Sequence, residues 1–367
     1  MDSTNPFSLA AVALDASTNT RYLLGWIAGF NLMRLVPFTV LASATENPIR
    51  FHLRGTLWQL MLIPAAWLSQ RSLVASLSVL GARFYLSLIE PNPLLRSALW
   101  YAGLISFYHA IRVATVQREF FEKRTLAFKT MFISELCDIR KGKLLKTKDD
   151  WRKAILRHVT ELSVSGIVYL ASGHLWESFI SSKNHQLATS LLGKTRNLLV
   201  GNLIVLFRFL SVLFLGDTTE RAIGLFNGFE SPSNYDHILQ SQSLVEFWRR
   251  RWNLEMHETL KELVYKPALR KGYSKSTAIA SAFAASAVHH LWIFPLAYGG
   301  FNKSMLLGVV ESSGFFAMQV CLILLEVKFR LKSHFWFLTS LFASGQLLTS
   351  SFIRSFVFPN TPPASRP

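Results

Sequence analysis

Apolar residues along this chain come in long runs, unlike the strict alternation of a half-buried strand or the three-and-four spacing of a surface helix. Such runs lie near 22–43, 57–90, 97–116, 155–180, 197–216, 275–298, 304–327 and 335–358. A helix needs about 20 mostly apolar residues to cross bilayer hydrocarbon, so each run predicts a membrane span. The run at 57–90 is too long for one straight span and contains Pro64 and Arg71, which predicts two short helices with a break between them. The pattern therefore predicts an all-α fold, a polytopic membrane bundle of about eight to nine spans forming a single domain over residues 1–367.

The polar intervals orient that bundle. Residues 117–153 carry eleven Lys and Arg against six acids, which places them in the cytosol. Two spans later 217–274 returns to that side, and so, two crossings further on, does the basic "KFRLKSH" of 328–334. By the same count 299–303 and 359–367 face the lumen, with "PNTPPASRP" as a disordered tail. Of the 367 residues, half are hydrophobic and 17% are charged, below the quarter or so usual in soluble domains. A net charge of +17 could point to nucleic acid, but the basic residues cluster in the connections, so membrane orientation accounts for it and no nucleic-acid partner is expected. Cys137 and Cys321 show neither metal-ligand spacing nor a disulfide framework. The first twenty residues lack a basic region followed by an apolar core, so no cleavable signal is expected there.

Against this background "EFWRRRWNLEMH" (246–257) stands out. On a helical template Val245, Trp248, Trp252, Met256, Leu260 and Leu263 form an apolar stripe, with Glu246, Arg250, Asn253, His257 and Lys261 roughly opposite. That pattern predicts a helix lying along the membrane surface, with its tryptophans at headgroup depth. An interfacial anchor for anionic lipid would need nothing more, yet an amide at Asn253 adds nothing to such an anchor. The next apolar run, 276–298, is rich in Ala and Ser and then reads "VHHLW". If the span begins near Ser276, a rise of 1.5 Å per residue places His290 roughly 20 Å in, where ionisable groups face a bundle interior or a wet cavity. A hydrogen bond between helices, a metal or haem ligand, and a proton relay all compete there. Adjacent histidines point about 100° apart, so His289 and His290 cannot share one metal ion, and no metal site is expected. His109 and His174 lie alone in predicted spans and read as interhelical hydrogen bonds; His174 with Glu177 could at most stand beside a site.

"FWRRRWN" in a cytosolic segment, followed about forty residues later by "SAVHH" in a small-residue helix, resembles the wax synthase-like branch of the membrane-bound O-acyltransferases. The pattern there is Phe-Trp-Gly-Arg-x-Trp-His/Asn and then Ser-Gly-x-x-His. Phe247, Trp248, Arg250, Trp252 and Asn253 fall on the first motif, Ser286 and His290 on the second. Arg249 and Ala287 stand where the family usually has glycine, and Leu291 where an acidic residue is common. The resemblance implies transfer of an acyl group from acyl-CoA to an alcohol in the endoplasmic reticulum membrane, without a further cofactor. Among fungal members similar to this chain, the donor is often acetyl-CoA and the acceptor a terpenoid-type metabolite.

These residue types suit that chemistry. An alcohol must lose its proton as it attacks a thioester, and a histidine base typically contributes about 10² to 10⁴ in rate; His290, which fits the motif's spacing, is the expected base, with His289 beside it. The oxyanion that forms needs a donor, which Asn253 could supply. Arg250 and Arg251 suit the phosphates of coenzyme A, with Lys261 and Lys266 as lesser candidates. Phe247, Trp248, Trp252, His257 and Ser286 complete the expected substrate-binding set. The partners expected are acyl-CoA, a hydrophobic alcohol and the bilayer. A long-chain wax ester or glyceride synthase is the alternative within the class, and a transporter with a His289/His290 proton relay the alternative outside it.

Overall fold

A computed structural model of the chain describes residues 19–30, 47–89, 103–116, 118–122, 124–134, 142–181, 190–225, 227–291 and 303–348. Among these residues the regular secondary structure is helical apart from one short ribbon, Lys143–Leu144 paired antiparallel with Phe229–Glu230. The expected all-α class is observed. Two helical stretches, Leu199–Leu225 and Gly308–Phe329, are long and apolar enough to cross a membrane. The outer parts of the predicted spans at 22–43, 97–116, 275–298 and 335–358, together with Cys137 and the tail, lie outside the described residues.

The chain divides into two compact units. The first comprises Met1–His158, Asp217–Asp236 and Trp252–Gly272; the second comprises Val159–Gly216, His237–Arg251 and Tyr273–Pro367. In the first, the apolar run at 57–90 becomes the helices Leu62–Ser69 and Leu73–Leu88, preceded by Pro48–Leu60. Pro64 sits in the first turn of Leu62–Ser69, where its missing N–H costs nothing, and the break falls instead at Gln70–Ser72. Ala65 and Ala66 are fully buried, and Ser76 Oγ donates to the Ala65 carbonyl at 2.8 Å, the close approach that small residues permit.

The basic interval 117–153 proves not to be a loop. It contains the helix Leu126–Ser134, buried on nearly every side, whose Phe128, Met131, Phe132 and Ile133 enter the core with Trp26, Leu62, Leu80 and Phe121. Its charge concealed this, because the lysines and arginines lie mainly outside those nine residues. Trp26 satisfies its indole N–H on Ser134 Oγ at 2.8 Å, as a buried tryptophan must. Thr147 and Asp150 then form a reciprocal capping box that starts the 34-residue helix Lys148–Ser181.

In the second unit Lys275–Leu291 packs on Lys303–Phe329, which packs in turn on His334–Leu348. Trp176 and Val205 hold the two long helices Lys148–Ser181 and Leu191–Leu225 together. Large apolar side chains of the Leu191–Leu225 helix, among them Leu199, Leu203 and Phe207, are exposed, as a surface meant for lipid would be.

Candidate functional site

The division into units falls inside the basic, aromatic motif, so the predicted site residues have two separate settings: Phe247–Arg251 belong to the second unit, Trp252 and Asn253 to the first. The continuous surface helix expected over 245–263 is not observed. A short helix, Leu244–Glu246, passes into a π-helical turn, Phe247–Arg251; the chain breaks at Trp252 and Asn253 and then restarts as Leu254–Leu260. The break has a local cause. Asn253 adopts the left-handed conformation (φ 43°, ψ 60°), which asparagine tolerates better than most residues and which ends any helix arriving at it.

In the second unit the motif is anchored by polar groups of an apolar helix. Glu326, on Lys303–Phe329 and nearly fully buried, accepts from Leu244 N at 2.7 Å, Val245 N at 3.2 Å and Trp336 Nε1 at 3.2 Å. Ser243 caps from the other side, accepting from Glu246 N. On the same helical face, two turns earlier, Gln319 accepts from Trp248 Nε1 at 2.9 Å and donates to Ser344 Oγ at 2.6 Å. Phe247 is buried against Phe337, and the Trp248 ring stands edge-on to Phe283. Phe247 and Trp248 therefore act as anchors, and the π turn leaves Arg249 and Arg250 exposed.

Arg251 is placed differently from expectation. Its Nε and Nη2 bond Glu246 Oε1 at 2.8 and 2.6 Å, and its Nη1 reaches the His237 carbonyl, so its charge is already engaged. The main-chain N–H of Gln242, and then Arg251, hold the Glu246 carboxyl below its ordinary range. Arg249, unremarkable in the sequence except as a departure from glycine, takes the exposed place beside Arg250.

His290 ends the small-residue helix Lys275–Leu291. Its Nδ1 lies 2.8 Å from the Ser286 carbonyl, which can only accept, so Nδ1 carries the hydrogen and Nε2 keeps its lone pair. The ring is half-buried and packs on Phe316 at 4.8 Å between centroids. His289 is buried, its ring 5.4 Å from that of His290. Buried Ser286 thus contributes its carbonyl to orienting the imidazole.

In the first unit every N–H at the start of the Leu254–Leu260 helix has an acceptor. Leu254 N donates to the Asn234 carbonyl, Glu255 N to Asn234 Oδ1, Met256 N to Asn253 Oδ1 and His257 N to the Asn253 carbonyl. Because Met256 N is a donor, the atom of Asn253 facing it must be oxygen, and the NH2 end is left pointing away as a donor. Asn234 is held in turn by Asp217, which also accepts from Arg221 Nε at 2.9 Å. Trp252 stacks edge-on to Tyr235, and His257 is half-buried. Lys261 is engaged with Glu258, whereas Lys266 is exposed.

The weaker histidines separate cleanly. His174 and Glu177 are both largely exposed and 4.0 Å apart. His109 is buried and bonds both the Phe132 carbonyl and Glu255. Sequence reasoning missed Asn234, Asp217, Arg112, Gln319 and Glu326. The last three were signalled as polar residues inside predicted spans, where such groups are expensive to bury.

Residues 231–318, 88 of the 367, match the model of a family described as the membrane bound O-acyl transferase family. The matched stretch contains Asn234, the whole basic motif and both His289 and His290, and supports a membrane-bound acyltransferase. No curated protein matches the chain.

Proposed function

We propose that the protein is a multi-pass O-acyltransferase of the endoplasmic reticulum membrane, with about eight to nine spans, that moves an acetyl group from acetyl-CoA to a hydroxyl of a hydrophobic, terpenoid-type acceptor. The observation that carries this reading is the family match across 231–318, the segment that holds both Asn253 and His290. The acceptor hydroxyl gives its proton to His290 Nε2 as its oxygen attacks the thioester carbon. Asn253 donates from its NH2 group to the oxyanion, a contribution typically worth about 10² to 10³ in rate. The carbon–sulfur bond then breaks and the thiolate recovers the proton from His290, leaving ester, coenzyme A and neutral histidine. Arg250, with Arg249, binds the coenzyme's phosphates, while the acceptor enters from lipid.

Purified protein in detergent is incubated with labelled acetyl-CoA and a panel of hydroxylated terpenoids. Ester is expected from the native chain, with a loss of at least about 10² in kcat for His290→Ala and a raised KM for acetyl-CoA in Arg250→Ala. Full activity of His290→Ala alongside inactivity of His289→Ala would refute His290 as the base and assign that role to His289. Acyl-CoAs of graded length separate this reading from a wax or glyceride synthase.

A further inference from the structure

The helical segment that Asn253 caps carries part of a buried polar cluster that the reaction as written does not use. Arg112, fully buried, directs Nε to Glu262 Oε2 at 2.8 Å and Nη1 to Thr259 Oγ1 at 2.9 Å, and the same Nη1 bonds Glu255 Oε1. His109, one turn earlier, brings Nε2 to Glu255 Oε1 at 2.9 Å while its Nδ1 donates to the Phe132 carbonyl at 2.6 Å. Glu255, Thr259 and Glu262 fall at i, i+4 and i+7, one face of the helical segment that Asn253 caps. Two carboxylates and a guanidinium at such depth cost more to bury than apolar side chains of the same volume. Stability alone is therefore a poor reason for the arrangement. Both Arg112 and Glu262 also lie in π-helical turns, Arg112–Val116 and Lys261–Tyr265, the kind of irregularity that accompanies functional positions.

We propose that Arg112 and His109 are positioning residues for Asn253, acting through Glu255 and Glu262. One guanidinium gripping two carboxylates two turns apart fixes the rotation and the register of the capped helix together. A slip of one residue would turn the helix by about 100° and carry the cap residue with it. Asn234 holds the first two N–H groups of the same helix from its end, so the backbone of Asn253 is fixed from two directions. What these contacts set is the direction in which the Asn253 NH2 group points. The inference rests on the reading of Asn253 as the oxyanion donor.

A double-mutant cycle on the full-length protein tests it, with kcat and KM for labelled acetyl-CoA measured per mole of folded, monodisperse enzyme. Asn253→Asp keeps the cap acceptor and removes the donor, and kcat is expected to fall by about 10². Arg112→Lys keeps the charge without the fork and should lower kcat by about tenfold or more, since small misplacements of a catalytic group are costly. Its KM for acetyl-CoA should not move. In the Asn253→Asp background Arg112→Lys should cost almost nothing further, because the group it positions is gone. Equal losses in both backgrounds would overturn the inference and leave the Asn253 role standing. Full activity of Asn253→Asp would overturn both. Glu262→Gln, which retains an acceptor for Arg112 Nε, runs the same cycle if the lysine variant does not fold, and there too a non-additive loss supports the proposal and an additive one refutes it.

Discussion

Glu326 offers the most direct measure of what holds the basic motif in place. Its carboxylate is nearly fully buried and serves three donors, two main-chain N–H groups at the start of the Leu244–Glu246 helix and the Trp336 indole. In Glu326→Gln the amide oxygen can keep the two donors that share Oε2, but an NH2 group then faces Val245 N. One bond to a charged acceptor is lost, worth about 1.5 kcal/mol, or roughly tenfold in the opening equilibrium of the segment. Glu326→Leu strands all three donors, and even at about 1 kcal/mol each the segment should open at least about 10² times more often. The loss saturates once the segment detaches, because a freed N–H finds water. Arg249, Arg250 and Arg251 make the opening readable, since trypsin cleaves there only after the π turn unwinds, and with fast reclosing its rate follows the open population. The expected order is native, then glutamine, then leucine. Leucine and native protein cleaved at the same rate, or glutamine cleaved as fast as leucine, would refute the account of Glu326 as the cap of this segment.

Gly224→Ala should gain up to about 1 kcal/mol of helix propensity and lose more, since its Cβ would stand 3.0 Å from the Phe229 carbonyl oxygen, 3.1 Å from that ring and 3.1 Å from Ser231 Oγ. Overpacking of that kind typically costs about 1–3 kcal/mol, so the melting temperature in detergent should fall, and a rise would contradict it. Hydrogen bonds from Lys143 first, then from Thr147, hold the Asp150 carboxyl at about 2, below its usual 3.8. A depressed carboxyl lends stability that is complete above the usual value and disappears as pH falls toward 2. Exchange protection of the first-turn amides of Lys148–Ser181 should fade over that window in native protein and stay nearly flat in Asp150→Asn, and identical fading in both would exclude the capping box as its source. Trp248→Phe leaves Gln319 Oε1 without its donor and should cost about 1–3 kcal/mol, seen as a lower melting temperature; Gln319→Leu added to it should recover part of that loss.

The candidate site was read largely from contiguous motifs. Asn253 and His290 were marked by amide and imidazole in otherwise apolar or basic surroundings, and a base and a donor are needed whatever the fold. The engagement of Arg251 was not legible, because an arginine's availability depends on its neighbours. Glu246, five residues earlier, engages it only because the π turn alters the helical spacing on which the sequence template relied. The surface helix over 245–263 failed for a related reason. Apolar periodicity reports which residues seek burial, but it is blind to a single left-handed residue that stops one helix and caps the next. The helix Leu126–Ser134 was hidden because charge averaged over a long interval says little about nine residues within it.

By itself, the amino-acid order determined that the chain is helical, that apolar surface dominates it, and that its polar chemistry gathers around 246–257 and 286–290, since these follow from local composition and spacing. Only the tertiary structure decided which charges are already engaged, which nitrogen of His290 keeps its lone pair, and how Arg112 comes to grip Glu255 and Glu262 from some 150 residues away. Hydrogen bonds are short-ranged and directional, so partners remote in sequence become identifiable only when folding sets them within about 3 Å of one another.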